Sequence, residues 1–259
     1  MEKLLLTQQK LEQTFQPEYY SVTFGAGGTT RDSTLEVVKL LAEKSINVAP
    51  HISCIGSSKQ QIADLLEQYK TLGVSRLVTL RGDIPETGES TRELLHANEL
   101  VSFIRESSGD HFTIEVAAYP EYHPESESPQ SDFEHFKNKV AAGADGAITQ
   151  YFYNIDAYLR FIDNCQKADI SIPVTPGIMP ITNFASLTRF SDACGAEIPR
   201  WIRKQLEAYA DDKESLQAFG LDVVSRLCNQ LLEQGAPGLH FYTLNQADST
   251  NAIWKNLSL

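Results

Sequence analysis

The feature that most limits what this 259-residue chain can fold into is a period. Short β-branched and aromatic runs alternate with amphipathic stretches of about ten to twenty residues along its whole length. Seven runs read as strands: YYSVTFG from Tyr19, NVAPHISC from Asn47, SRLVTLRGD from Ser75, TIEVAAYP from Thr113, GAITQYFYN from Gly146, SIPVTPGIMP from Ser171 and GLHFYTLN from Gly238. Helical segments such as STLEVVKLLAEKS, KQQIADLLEQYKTLG and SDFEHFKNKVAAGA lie between them. The opening MEKLLLTQQKLEQTF is a further helix, with Leu4, Leu11 and Phe15 near helical spacing, which makes eight expected helices. Ser33 and Ser131 are expected N-caps with Glu36 and Glu134 as capping-box partners, and Gly73 and Gly143 expected helix stops.

Regular alternation of this kind builds a parallel sheet from βα units. An open doubly wound sheet would more naturally begin on a strand and carry a glycine-rich dinucleotide turn. The G-A-G-G at Gly25–Gly28 lacks the G-x-G-x-x-G spacing. A closed barrel needs eight parallel strands. The expectation is therefore a (β/α)8 barrel whose first strand is absent from this sequence, forming a single domain over residues 1–259.

Composition removes whole classes of function. The net charge of −12 opposes binding to nucleic acid, whose phosphates need a basic face. No apolar run approaches the roughly 18 residues of a membrane span, and no basic-then-apolar leader opens the chain. A cytoplasmic protein with no membrane partner is expected. Cys54, Cys165, Cys194 and Cys228 are scattered without a C-x-x-C pair, which predicts reduced and mostly buried thiols.

The strand runs are apolar for most of their length and turn polar at their C-terminal ends, at Thr23, His51, Arg81, Asp83, Tyr119, Gln150 and Asn245. That end is where a barrel builds its active site. L-R-G-D at Leu80 puts a carboxylate beside a guanidinium, either as a local Arg81–Asp83 pair or as a catalytic group. A-A-Y-P-E-Y-H-P-E at Ala117 places Tyr119, Glu121, His123 and Glu125 in a proline-stiffened loop, which suits either a solvated acidic loop or a flat ligand stacked on the tyrosine. Gln150 is either a satisfied core amide or a partner for a heterocycle, since an unpaired buried amide costs about 1–3 kcal/mol. Phe190, beyond the rim loop P-G-I-M-P-I-T-N-F, fits the core as readily as a ligand contact.

Several chemistries lack their residues. No strand run carries a lysine for a Schiff base, no His/Cys cluster has metal spacing, and no G-x-S-x-G elbow occurs. A rim of aromatics, amides and one prominent carboxylate suits an organic cofactor that brings its own reactivity.

Taken in order, these runs resemble one family, the bacterial type of 5,10-methylenetetrahydrofolate reductase. The resemblance rests on V-T-F-G-A at Val22, R-D at Arg31, A-P-H-I-S-C at Ala49, L-R-G-D, A-A-Y-P-E-Y-H-P-E, D-x-x-x-x-K-x-K-V at Asp132, A-G-A-D-G-A-I-T-Q-Y-F at Ala142, P-G-I-M-P at Pro176 and F-Y-T-L-N at Phe241. It implies a (β/α)8 barrel with FAD at its C-terminal rim, and NADH or NADPH as co-substrate for reducing methylenetetrahydrofolate to 5-methyltetrahydrofolate by a ping-pong hydride transfer. It further implies a homo-oligomer and a place in the supply of methyl groups for methionine. The positions carried over as flavin contacts are Thr23, Phe24, Ala26, His51, Arg81, Gly82, Asp83, Tyr119, His123, Asp132 and Lys139. His135 and Asn138 stand in the cofactor helix where the family often carries Asn and Arg. Asp83 is the implied catalytic carboxylate near flavin and folate. Gln150 and Phe190 are implied folate contacts, and Gln246 takes the place of a family arginine in the substrate site. The family's first strand reads roughly S-F-E-F-F-P-P, and its Glu is the general acid for opening the folate ring. No residue of this sequence matches it, so the folate half-reaction is expected to be impaired. The alternative expectation is a non-catalytic flavin- or folate-binding subunit acting with a partner.

Overall fold

The computed structural model describes residues 1–23, 31–82, 93–209 and 211–258, with the backbone alone for Arg31 and Asp32. Among these residues lie eight strands and ten helices. They are α1 (Glu2–Glu12), β1 (Tyr20–Val22), α2 (Arg31–Glu43), β2 (Val48–Ser53), α3 (Lys59–Thr71), β3 (Arg76–Leu80), α4 (Ala97–Ser108), β4 (Thr113–Ala118) and α5 (Pro129–Ala141). Then follow β5 (Gly146–Thr149), α6 (Ile155–Lys167), β6 (Val174–Thr175), β7 (Gly177–Ile178), α7 (Phe184–Cys194), α8 (Arg200–Ala208), α9 (Lys213–Glu233), β8 (His240–Phe241) and α10 (Asp248–Lys255). The hydrogen-bonded strand order is β1-β2-β3-β4-β5-β6, with β7 and β8 paired separately. The pairings β1–β2, β2–β3, β3–β4 and β7–β8 are parallel, as the alternation predicts. No described helix is long and apolar enough to cross a membrane.

All seven strand runs contain strand, but the sixth is broken in two. Pro176 has no N–H to give to a ladder, and the chain changes partner there. Its carbonyl accepts from His240, while the Gly177 N–H goes to the hydroxyl of Thr149 at 2.9 Å. The count of helices is also corrected, because α7, α8 and α9 fill the single interval between the sixth and seventh runs.

Two of the expected caps are corrected as well. Helix α2 is already under way at Arg31, so Ser33 lies inside its first turn. Helix α5 begins with Pro129, whose fixed φ suits the first helical position, and the Ser128 hydroxyl accepts the Ser131 N–H. Ser131 is thus within the helix. Gly73 and Gly143 do follow α3 and α5, both at positive φ.

The chain divides into two compact units. One comprises Pro17–Ala117 and Glu134–Ala147; the other comprises Met1–Gln16, Ala118–Phe133 and Ile148–Leu259. In the first, Leu77, Val78, Ile114 and Val116 form a buried strand layer, covered by Ile62, Leu66, Leu100 and Ile104 from α3 and α4. Arg105 of α4 ties the start of this layer together, donating to the carbonyls of Phe112 and Gly143 and to Asp145 at 2.6–3.0 Å. Arg76 bridges Glu115 at 2.5 Å and Glu18 at 2.7 Å.

In the second unit, the N-terminal helix expected from the sequence is present and docks on α10. Phe15 stacks on Trp254 at 4.5 Å, and Asn251 donates to the Lys10 carbonyl at 2.9 Å. Buried residues of α9, among them Val224, Leu227, Cys228 and Leu231, add to its core. Cys54, Cys165, Cys194 and Cys228 are all free thiols, and all but Cys194 are buried.

Candidate active site

The expected site residues fall on both units. Thr23, His51, Arg81, Gly82, His135, Asn138 and Lys139 belong to the first; Tyr119, His123, Asp132, Gln150, Phe190 and Gln246 belong to the second. Phe24, Ala26 and Asp83 lie outside the described residues, as do the glycines Gly25–Gly28.

In the first unit, Thr23 directly follows β1 and its carbonyl accepts from the Thr34 hydroxyl at 3.1 Å. His51 lies in the C-terminal half of β2, in register with Val78 of β3. Beyond β3, the Arg81 carbonyl is a hub. It accepts the Ser53 hydroxyl at 2.9 Å, the Cys54 thiol at 3.3 Å and the Ile55 N–H at 3.0 Å. Burial pushes the Cys54 thiol up to about 11, so it stays protonated and unreactive near neutrality.

Gly82 completes this turn at φ +87, where a Cβ would overlap the Ser53 hydroxyl. Gly82→Ala combines a strained φ with that overlap. It is expected to cost about 2–4 kcal/mol by urea denaturation. Ser53→Ala in the same chain should recover part of the loss; no recovery would place the cost elsewhere.

Helix α5 carries four expected cofactor positions. Asp132 is buried and accepts from the Ser126 hydroxyl at 2.8 Å. His135 and Asn138 are exposed, and the Lys139 ammonium donates to the Ala117 carbonyl at 2.6 Å.

In the second unit, Tyr119 leaves β4 and its ring meets His123 edge-on, with centroids 4.8 Å apart. The loop between them is tied internally. Tyr122 and Ser126 donate backbone N–H groups to the carbonyls of Tyr119 and His123, and Glu125 N–H donates to His123 Nδ1 at 3.1 Å. Tyr119 and Asp132 line one cavity of about 520 Å³, walled partly by Phe133 and Phe161 and bordered by Glu121 and Arg160.

Gln150 follows β5 and is half-buried rather than fully in the core. Its side-chain oxygen accepts from the Tyr151 N–H at 3.0 Å. The Tyr151 hydroxyl pairs with Ser191 of α7 at 3.0 Å, and burial raises its pKa well above the usual phenol value. One residue before Ser191 is Phe190, 36% exposed, with the Arg189 guanidinium 5.4 Å over its ring. Phe190 is therefore a surface aromatic, not core. Gln246 is exposed, in a turn where Leu244 and Asn245 both have positive φ.

The sequence reading did not single out Tyr151, Ser191 or Arg160. Tyr151 and Ser191 looked like ordinary residues of an aromatic strand end and a helix, and only their pairing across 40 residues shows what they position. Among the described residues, no group of three or more His, Cys, Asp or Glu is placed to hold a metal ion.

Comparison with known proteins completes the picture. The methylenetetrahydrofolate reductase family model matches residues 1–258. The 5,10-methylenetetrahydrofolate reductase of Pectobacterium carotovorum subsp. carotovorum is 36% identical, covering 100% of this chain and 86% of the relative. The protein of that name from Escherichia coli (strain K12) is 36% identical over 95% of this chain and 82% of its own length. Among solved structures, an uncharacterized protein from Clostridium thermocellum that binds two copies of 5-methyl-5,6,7,8-tetrahydrofolic acid superposes with a TM-score of 0.55 at 15% identity, over 96% of this chain and 98% of that one. A dihydropteroate synthase from Coxiella burnetii, solved with pteroic acid, gives 0.51 at 10% identity, over 97% and 82%. At such identities these two likenesses speak for the α/β fold alone. The match over nearly every residue is what assigns the chain: it belongs to the methylenetetrahydrofolate reductase family, α/β-barrel oxidoreductases that reduce methylenetetrahydrofolate to methyltetrahydrofolate.

Proposed function

We propose that residues 1–259 act as one flavin-binding domain that reduces 5,10-methylenetetrahydrofolate to 5-methyltetrahydrofolate with FAD as cofactor and NADH or NADPH as co-substrate. The family match over residues 1–258 carries this reading. The residues present fit a flavin. The cavity beside Tyr119 and Asp132 has aromatic walls and polar edges, and its volume of about 520 Å³ lies within the usual range for ligand sites. Bound FAD would supply hydride-transfer chemistry between nicotinamide and folate, and the protein's part would be to bind, orient and exclude water.

In this proposal Tyr119 and His123 present the aromatic edge against which the cofactor rests, and the loop between them needs little ordering. Asp132, His135, Asn138 and Lys139 of α5 hold the cofactor's more polar portions, with Thr23, His51, Arg81 and Gly82 as further contacts. Asp83, Phe24 and Ala26 keep the roles given by resemblance, Asp83 as the catalytic carboxylate. Gln150 offers the folate heterocycle its carboxamide, Phe190 a stacking face and Gln246 a polar contact. The protein works in the cytoplasm as a homo-oligomer that takes no nucleic acid, in keeping with its net charge of −12.

The test is direct. Purified protein should bind FAD and turn yellow, be bleached anaerobically by NADH or NADPH, and be reoxidised by methylenetetrahydrofolate. Colourless protein that FAD does not titrate would sink the proposal. Bound flavin that neither nicotinamide bleaches would favour a non-catalytic subunit instead. Phe190→Ala should raise KM for folate or nicotinamide about five-fold while leaving the melting temperature within about 2 °C, because the ring is exposed and its stacking is worth about 1 kcal/mol.

A further inference from the structure

We propose that Glu121 is a positioning residue that locks the Tyr119–Ser126 loop to the turn after α7, so that the Tyr119–His123 pair and the helix bearing Phe190 move as one body. The role rests on the reading of Tyr119, His123 and Phe190 as ligand contacts.

Glu121 Oε2 accepts the backbone N–H of Glu197 at 2.8 Å, a bond that joins segments 76 residues apart. Its Oε1 is buried and has no hydrogen-bond partner among the described residues. A carboxylate with one oxygen buried and unpaired costs stability. Burial accordingly raises the Glu121 carboxyl above its ordinary value; the Glu197 amide and Arg160 act against that rise, while the Glu197 carboxylate adds to it.

A second contact runs beside the first. Gly195 ends α7 in the left-handed conformation at φ +76, and a Cβ there would lie 2.8 Å from Pro124 Cγ. The loop proline therefore sits directly against the turn. On its other sides each partner is already fixed: Ser126 is bonded to Asp132 on α5, Asn183 caps the start of α7, and Ser191 is bonded to Tyr151. Among the described residues, Glu121 supplies a hydrogen bond between the two fixed groups and Pro124 packs beside it, with the Tyr122 carbonyl also close to the Gly195 turn. Any shift of the loop when a ligand meets Tyr119 is transmitted through them to α7, one turn from Phe190.

The lock is tested by hydrogen–deuterium exchange together with kinetics on Glu121→Ala and Glu121→Gln. Glutamine keeps a carbonyl acceptor for the Glu197 N–H, and alanine does not. Amides of the α7 segment, residues 184–197, should exchange about ten-fold faster in Glu121→Ala and within about two-fold of the parent in Glu121→Gln. In the FAD-loaded enzyme, KM for methylenetetrahydrofolate should rise about ten-fold in Glu121→Ala with kcat within about three-fold, and Glu121→Gln should restore it. Unchanged α7 exchange overturns the proposal, and so does a fall in melting temperature without any change in KM. If Glu121→Ala does not fold, Pro124→Ala loosens the parallel contact, with an expected effect of about three-fold. A parent protein that binds no flavin counts against the functional reading, while the exchange measurement still decides the lock.

Discussion

Gly177→Ala is expected to be the most damaging single methyl that can be added to the second unit, costing about 4 kcal/mol or more and leaving little soluble protein. The position has an ordinary backbone conformation, so the reason is space. A Cβ there would press into the Thr149 carbonyl and stand 2.6 Å from Tyr242 Cε2. The carbonyl is backbone and already accepts the Tyr242 hydroxyl at 2.9 Å, so neither neighbour can yield without breaking that bond. Overpacking against fixed atoms reaches the upper end of measured mutational costs. Thr149→Val is the graded comparison. It removes the hydroxyl that accepts the Gly177 N–H and should cost about 1–3 kcal/mol. Urea titration of both variants checks the order, and Gly177→Ala within 1 kcal/mol of the parent would contradict it.

Arg76→Met is the second large effect, and its signature is pH dependence. Glu115 is 8% exposed and Arg76 25% exposed, and the pair is closed at 2.5 Å. Gly146 allows this burial, since a Cβ there would overlap the Glu115 carboxylate. Burial raises the Glu115 carboxyl, with Asp145 and Glu18 adding to the rise, and Arg76 is the cation that pulls it back. Because the folded value remains above the unfolded one, the native state keeps a proton that the unfolded chain has released. Glu115 therefore contributes stability at low pH that is lost as pH rises through the folded value. Without Arg76 the folded value climbs further and the loss grows. Arg76→Met should cost about 3–5 kcal/mol near pH 8 and clearly less near pH 5, read as two urea curves. An equal cost at both values would assign the effect to packing on Tyr19, whose ring lies 4.7 Å from the guanidinium.

The alternation of apolar runs carried most of the fold. Val48–Ser53, Arg76–Leu80 and Thr113–Ala118 are strands because they are β-branched and buried, and no tertiary detail is needed to see it. The break at Pro176 was legible in principle, since a proline inside a strand run has no ladder hydrogen to give. What filled the gap was not: the acceptor for Gly177 is a threonine hydroxyl 28 residues away. Caps were misjudged for a local reason. Ser33 and Ser131 match the S-x-x-E pattern, but Pro129 with Ser128 before it offers α5 a better start. In the candidate site, Tyr119 and Gln150 were visible as polar residues at the ends of apolar runs and His123 in the proline-stiffened loop, while Asp132 entered only through the family resemblance. Arg160, Tyr151 and Ser191 were not, because each acts through a partner distant in sequence.

The loop from Tyr119 to Ser126 spends its hydrogen bonds on itself and its immediate supports. Tyr122, Glu125 and Ser126 donate their backbone N–H groups inward, and the Ser126 hydroxyl is fixed to Asp132. A ligand arriving at Tyr119 meets a surface whose freedom was already lost when the chain folded, so little further order has to be created on binding. If the proposed cofactor binds here, the balance of heat and entropy in its uptake reflects the ligand and the water it displaces far more than the protein around it.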